Sequence, residues 1–184
     1  MFDLILTPQR QTLPNSCVSA ALAIALDLPV QMVTDAFHEL YEQGNAEIYY
    51  LFNHLQVTFI RAASDERRIQ PDRISLLVVP SLNAPGLLHM IVAQTSPCGK
   101  LWYILDPAKG VEGRKYYDTC NTDFDSLNGE RESLAYPVQS YLVQYEIPLA
   151  EAIYWQKKKN TLISRLNTFK ELVQSFNDQK GAKE

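Results

Sequence analysis

The chain has 184 residues, 46% hydrophobic and 21% charged, with 17 Lys and Arg against 21 Asp and Glu for a net charge of −4. That is enough chain for one domain with a sizeable core, and the composition is that of a soluble globular protein. The acidic balance, with a pI near 5.4, makes nucleic acid a poor partner, and no apolar run approaches the length that spans a bilayer.

The amino terminus has no basic leader and only a very short apolar run, so no usual secretory signal is expected and the cytoplasm is the expected compartment, unless the protein is delivered elsewhere without such a signal. The cysteines are Cys17, Cys98 and Cys120. An odd number of thiols at wide spacing argues against a disulfide framework and suits a reducing environment. There is no Cys-x-x-Cys, and His38, His54 and His89 are not paired at ligand spacing, so neither a zinc site nor any other cofactor is expected.

In chain order, residues 2–6 read as a short edge strand, and Thr7 to Arg10 break into a loop. Pro14 keeps Leu13 out of the helical region, and Asn15 or Ser16 can cap the helix that starts there. From Cys17 to about Leu28 the run of Ala and Leu leaves almost no polar face, which predicts a helix buried nearly all round and ended by Pro29. Val30, Val33, Phe37, Leu40 and Tyr41 recur at helical spacing up to Gly44. Asn45 is placed to cap a third helix carrying Ile48, Leu51, Phe52 and Leu55. His38 and His54 fall on partly exposed faces of these helices and read as structural.

After residue 56 the texture becomes that of strands. Residues 57–60 and 74–79 are candidates, joined by a solvated segment from Ser64 to Arg73. Residues 88–94 and 101–105 form a predicted hairpin across Ser-Pro-Cys-Gly-Lys. Residues 114–117 are expected to extend the sheet, 118–139 to form a long loop with at most one helical turn, and 140–147 to form another strand. Pro148 then opens a long helix from about Leu149 to Phe176. Its stripe of Ile153, Leu162, Leu166, Phe169, Val173 and Phe176 is suited to packing on the domain or on a partner. Lys157 to Lys159 read as solvated, and Asp178 to Glu184 as frayed. The expected organisation is an α+β domain over 1–148 and an appended amphipathic helix and tail over 149–184.

The chemistry concentrates at Cys17. A thiol is a useful nucleophile only as thiolate, and the opening turn of a helix favours the anion. A base must also be present. His89 opens a strand otherwise wholly apolar, from Leu87 to Ala93, where a polar ring either bonds structurally or faces a site. Asp106 ends the next strand, with Pro107 holding it extended. Across a hairpin the start of one strand lies beside the end of the next, so this carboxylate can meet the imidazole and fix its tautomer. Gln11, six positions before Cys17, can donate a side-chain amide beside the thiol, as acyl chemistry needs for its oxyanion. Gln9 is the alternative if the loop register differs.

Gln11 and Cys17, then His89 opening a strand, then Asp106-Pro107 after the next, together resemble the papain-like cysteine peptidase superfamily. The nearest resemblance is to the small bacterial branch that includes the bacteriocin-processing peptidase domains of ABC transporters and related phage and effector proteins. The resemblance covers about residues 5–110 and implies a central Cys-bearing helix packed on an antiparallel sheet. It implies Cys17 as nucleophile, His89 as general base and acid, Asp106 as the group that orients it, and Gln11 in the oxyanion hole. That branch usually has Gly directly after the Cys, where this chain has Val18, a β-branched residue that would narrow access to the thiol or alter the oxyanion loop.

The resulting expectation is a cysteine hydrolase acting on a peptide or side-chain amide through a thioester acyl-enzyme, most simply a peptidase with a protein or peptide substrate. A deamidase or transglutaminase would use the same three residues. A peptide-binding module of the same fold without catalysis is the alternative from another class. The carboxy-terminal helix offers a surface for a partner.

Overall fold

The computed structural model of the chain describes residues 3–99, 102–119 and 134–181. The apolar run after the thiol forms helix α1 (Cys17–Leu26), in which every residue from Ser19 onward is buried. It ends before Pro29 is reached. Asp27 takes the left-handed conformation at φ 51°, and the Leu28 N–H closes back on the Ala23 carbonyl at 2.9 Å, a common way to satisfy the last carbonyls of a helix. Pro29 instead stands at the head of α2 (Val30–Val33), which runs through a π-helical turn (Thr34–His38) into α3 (Glu39–Glu42). Helix α4 (Ile48–Leu55) buries Ile48, Leu51, Phe52 and Leu55. Its cap position falls to Glu47, because the Asn45 amide is turned back onto Gln43 at 2.8 Å.

Five antiparallel strands make the main sheet in the order β1-β7-β2-β3-β4: β1 (Ile60–Arg61), β2 (Arg73–Pro80), β3 (Leu88–Thr95), β4 (Trp102–Leu105) and β7 (Leu142–Pro148). Residues 3–5 are not a strand. They run beside β3 through one side chain, the Gln94 amide, which accepts from Ile5 N at 3.0 Å and donates to Asp3 O at 2.9 Å. Nor do residues 114–117 extend this sheet. β5 (Tyr116–Asp118) pairs in parallel with β6 (Ala135–Pro137) in a small sheet of its own. Most of the long loop expected between them, including Cys120, lies outside the described residues.

The alternation of strand side chains builds two cores. On one face Ile74, Leu76, Met90, Val92, Leu105, Tyr145 and Ile147 pack with α1 and its neighbouring helices. On the other, Leu77, Val79, Ile91, Ala93, Ile104 and Val143 pack with Tyr117 of the small sheet. This explains why α1 needs no polar face: it has the sheet beneath it and helices around it.

The carboxy-terminal helix expected as one piece is broken at Lys158 into α5 (Leu149–Lys157) and α6 (Lys159–Gly181). Leu149, Ala152, Trp155, Leu162, Leu166 and Phe169 join the same core as α1, while Ile153 is 36% exposed and leaves the expected stripe. Full burial of Leu162 and Leu166 stabilises the packing by roughly 1.5–3 kcal/mol each. Polar contacts fix the register. His54 Nε2 bonds the Arg165 carbonyl at 3.1 Å, Arg165 donates to Leu55 O at 2.6 Å, and Lys159 pairs with Asp27 at 3.0 Å. Backbone helix continues through residue 181 where fraying was expected, and the Phe176 side chain and residues 182–184 are outside the described part. Among the described residues no helix is long and apolar enough to cross a membrane.

Candidate active site

The site lies where β4 leaves the sheet. β3 pairs with β4 only over Val92–Thr95, so no described strand covers the β4-side edge of Leu88–Ile91. The β4 chain turns away at Asp106-Pro107, closing a turn in which Lys109 N bonds Asp106 O at 3.0 Å. Into this gap α1 brings its first residue. The backbone amides of Met90 and Val18 favour the Cys17 anion. By strand alternation His89 belongs with Ile91 and Ala93, on the face away from α1. Thiol and imidazole therefore approach from opposite faces and meet at the sheet edge.

His89 Nε2 donates to Asp106 Oδ1 at 2.7 Å, with side chains 11% and 1% exposed. The same carboxylate accepts the Ala108 N–H on Oδ1 and the Tyr117 N–H on Oδ2, both at 2.7 Å. Asp106 is thus held in one orientation by backbone, and it fixes the ring in turn. With Nε2 occupied by Asp106, Nδ1 is the ring nitrogen left to interact with Cys17. Burial works against the charged imidazole, but the bonds to Asp106 and Cys17 and the charges of both outweigh it and raise His89 to about 9. Burial likewise opposes the thiolate. The bond and charge of His89, with the Met90 and Val18 amides, still bring Cys17 below its ordinary value. Both shifts favour a thiolate–imidazolium pair.

Gln11 is brought to the thiol loop, but not with a free amide. Its backbone N–H bonds Pro107 O at 2.9 Å, tying this loop to the Asp106 turn. Its Nε2 donates to Leu13 O and Pro14 O, both at 3.0 Å. The residue is 8% exposed and its Oε1 has no partner among the described residues. Gln9 is committed elsewhere, bonding Leu28 O at 2.6 Å and Ala23 O at 3.3 Å and accepting Val30 N at 2.7 Å. Ser16 precedes α1 without capping it, since its hydroxyl bonds back to Leu13. The Val18 side chain is half-buried and packs on the main core.

His38 and His54 lie elsewhere: His38 ends the π-helical turn, and His54 stacks edge-on against Phe169. Cys98 is exposed in the β3–β4 turn. Three supporting residues went unseen in the sequence. Asn83, in the loop before His89, pairs with both backbone groups of Lys115 at 2.7 and 2.9 Å. The Tyr117 hydroxyl donates to Pro80 O at 2.9 Å, and Arg114 Nη1 to Pro14 O at 3.2 Å. Each acts through backbone of a distant segment, which no local motif announces.

The rim beside His89 is apolar and open, with Leu87 and Leu88 64% and 71% exposed, and Leu13 stands exposed on the thiol loop. A groove of about 930 Å³ runs past Asp106 between Pro8–Arg10, Tyr103 and Gly110–Arg114, without reaching Cys17 or His89. No group of side chains able to hold a metal ion occurs among the described residues. Compared with protein-family models, curated proteins and solved structures, the chain matches none.

Proposed function

We propose that this protein is a papain-like cysteine hydrolase acting on peptide bonds through an acyl-enzyme. The observation that carries the reading is the bond from His89 to a buried Asp106 that is otherwise held by the Ala108 and Tyr117 amides, beside a thiol at a helix start that His89 brings below its ordinary value. A structural thiol needs neither a base nor a fixed base orienter.

In the proposed reaction the Cys17 thiolate attacks the carbonyl carbon, the C–S bond forms, and the carbonyl electron pair moves to oxygen. The Cys17 N–H and one Gln11 N–H receive that oxyanion. Collapse breaks the C–N bond as the His89 imidazolium gives its proton to the leaving nitrogen. Water then attacks the thioester carbon, losing a proton to His89; the C–S bond breaks, the acid departs, and the Cys17 thiolate and His89 imidazolium are restored. Leu13, Leu87 and Leu88 favour a substrate with apolar side chains near the scissile bond. A nucleophilic thiol of this kind is kept reduced in the cytoplasm.

Incubating a complex peptide mixture with the wild-type protein and with Cys17→Ala, then sequencing by mass spectrometry, tests this. New termini made only by the wild type are the expected result. A gain of about one dalton at Gln residues would instead identify a deamidase, the same acyl chemistry on a side-chain amide. Identical spectra from the two proteins would contradict the proposal.

A further inference from the structure

The Gln11 amide is held by two carbonyls that do not depend on it. Leu13 O, besides Gln11 Nε2, accepts the Ser16 N–H at 3.2 Å and the Ser16 hydroxyl at 3.1 Å. Pro14 O, besides Gln11 Nε2, accepts Arg114 Nη1 at 3.2 Å. Gln11 Oε1, by contrast, is buried with no partner among the described residues, an unfavourable condition for an amide oxygen. In the free protein the carbonyls are therefore over-supplied while the amide that serves them is under-satisfied. Such a side chain is poised to leave.

Rotation of the amide about the Cγ–Cδ bond moves both N–H groups at once, so both carbonyls then need another donor. Leu13 O keeps Ser16, which lies in the same turn. Among the described residues Pro14 O then keeps Arg114 alone, which comes from 100 residues further along the chain. Resting on the hydrolase reading, we propose that Arg114 is a positioning residue for the oxyanion: it holds the Pro14 carbonyl while Gln11 turns an N–H toward the substrate. Arg114 touches no reacting atom and acts through Gln11.

Two reactions of Cys17 separate this role from general loosening of the loop. Iodoacetamide alkylates the thiolate by displacing iodide and forms no oxyanion. A peptide aldehyde with an apolar side chain adds reversibly: the C–S bond forms, the carbonyl pair moves to oxygen, and that oxygen takes the imidazolium proton. Arg114→Met is expected to raise the Kd of the aldehyde about two- to tenfold, the worth of one hydrogen bond, and to change the alkylation rate less than about twofold. Arg114→Lys should recover part of the loss. In a Gln11→Ala background the Arg114→Met change should have no further effect, because the residue it serves is gone.

Unchanged aldehyde affinity in Arg114→Met, equal losses in both assays, or full additivity with Gln11→Ala would each overturn the role of Arg114. A wild-type protein whose aldehyde binding is absent or insensitive to Cys17→Ser would overturn the hydrolase reading, and Arg114's role with it.

Discussion

The two ends of the site differ in how fully their polar groups are paired. At the carboxylate end, Asp106 accepts from His89, Ala108 and Tyr117 at 2.7 Å each. At the thiol end, Gln11 spends both amide protons on its own loop and leaves its oxygen bare. On the proposed reading the base and its orienter are finished in the free protein, whereas the oxyanion donor would take up its task only when a substrate supplies the charge. Preorganisation is placed where it sets the protonation state, and freedom is left where the reacting atoms must enter.

The contrast is broken most directly by stability measurements on Asp106→Ala and Gln11→Ala. Removing the Asp106 carboxylate strands a buried imidazole and two backbone N–H groups, and should cost about 3–5 kcal/mol in urea denaturation. Gln11→Ala deletes an unsatisfied oxygen along with its bonds to carbonyls that keep other donors, so the change should stay within about 1 kcal/mol. Equal costs would mean that the two ends are equally preorganised.

A smaller effect, in pH dependence, sharpens the same point. Taken alone, His89 contributes stability that is full below its unfolded value of 6.5 and is lost as pH rises through about 9. Cys17 contributes stability that is full above its unfolded value of 9.0 and is lost as pH falls through its lowered folded value. The unfolded pair binds one proton between 6.5 and 9.0, and the folded pair binds one between the lowered Cys17 value and about 9, so in the window where these ranges overlap the pair adds no slope. In Cys17→Ser the compensating group is gone, and the urea midpoint should fall as pH rises through the window relative to wild type. Parallel profiles would show that thiol and imidazole do not titrate as a pair.

The features that local rules govern were legible in the sequence. An Ala- and Leu-rich run behind Pro14 gives a buried helix beginning at Cys17, a polar residue opening an apolar strand singles out His89, and hairpin geometry brings Asp106 to it. The features that escaped depend on long-range partners. Residues 114–117 carry strand character, but nothing local says that their partner is the segment after residue 134 rather than the main sheet. The helix break at Lys158 has no Gly or Pro to announce it, and arises instead because α5 and α6 both bury apolar residues in one core. The spacing of Gln11 places it on the thiol loop, but the direction of its amide is set by the carbonyls of Leu13 and Pro14. Spacing encodes where a side chain is delivered, not which of its bonds are already used.

The central claim is that Cys17 rests as a thiolate paired with His89, and the rate of iodoacetamide labelling of each cysteine at pH 6, read by mass spectrometry, tests it most directly. Cys17 should react about tenfold to a hundredfold faster than Cys98 or Cys120, and His89→Ala should remove the advantage. Equal labelling of all three thiols, unaffected by the His89 substitution, would contradict it.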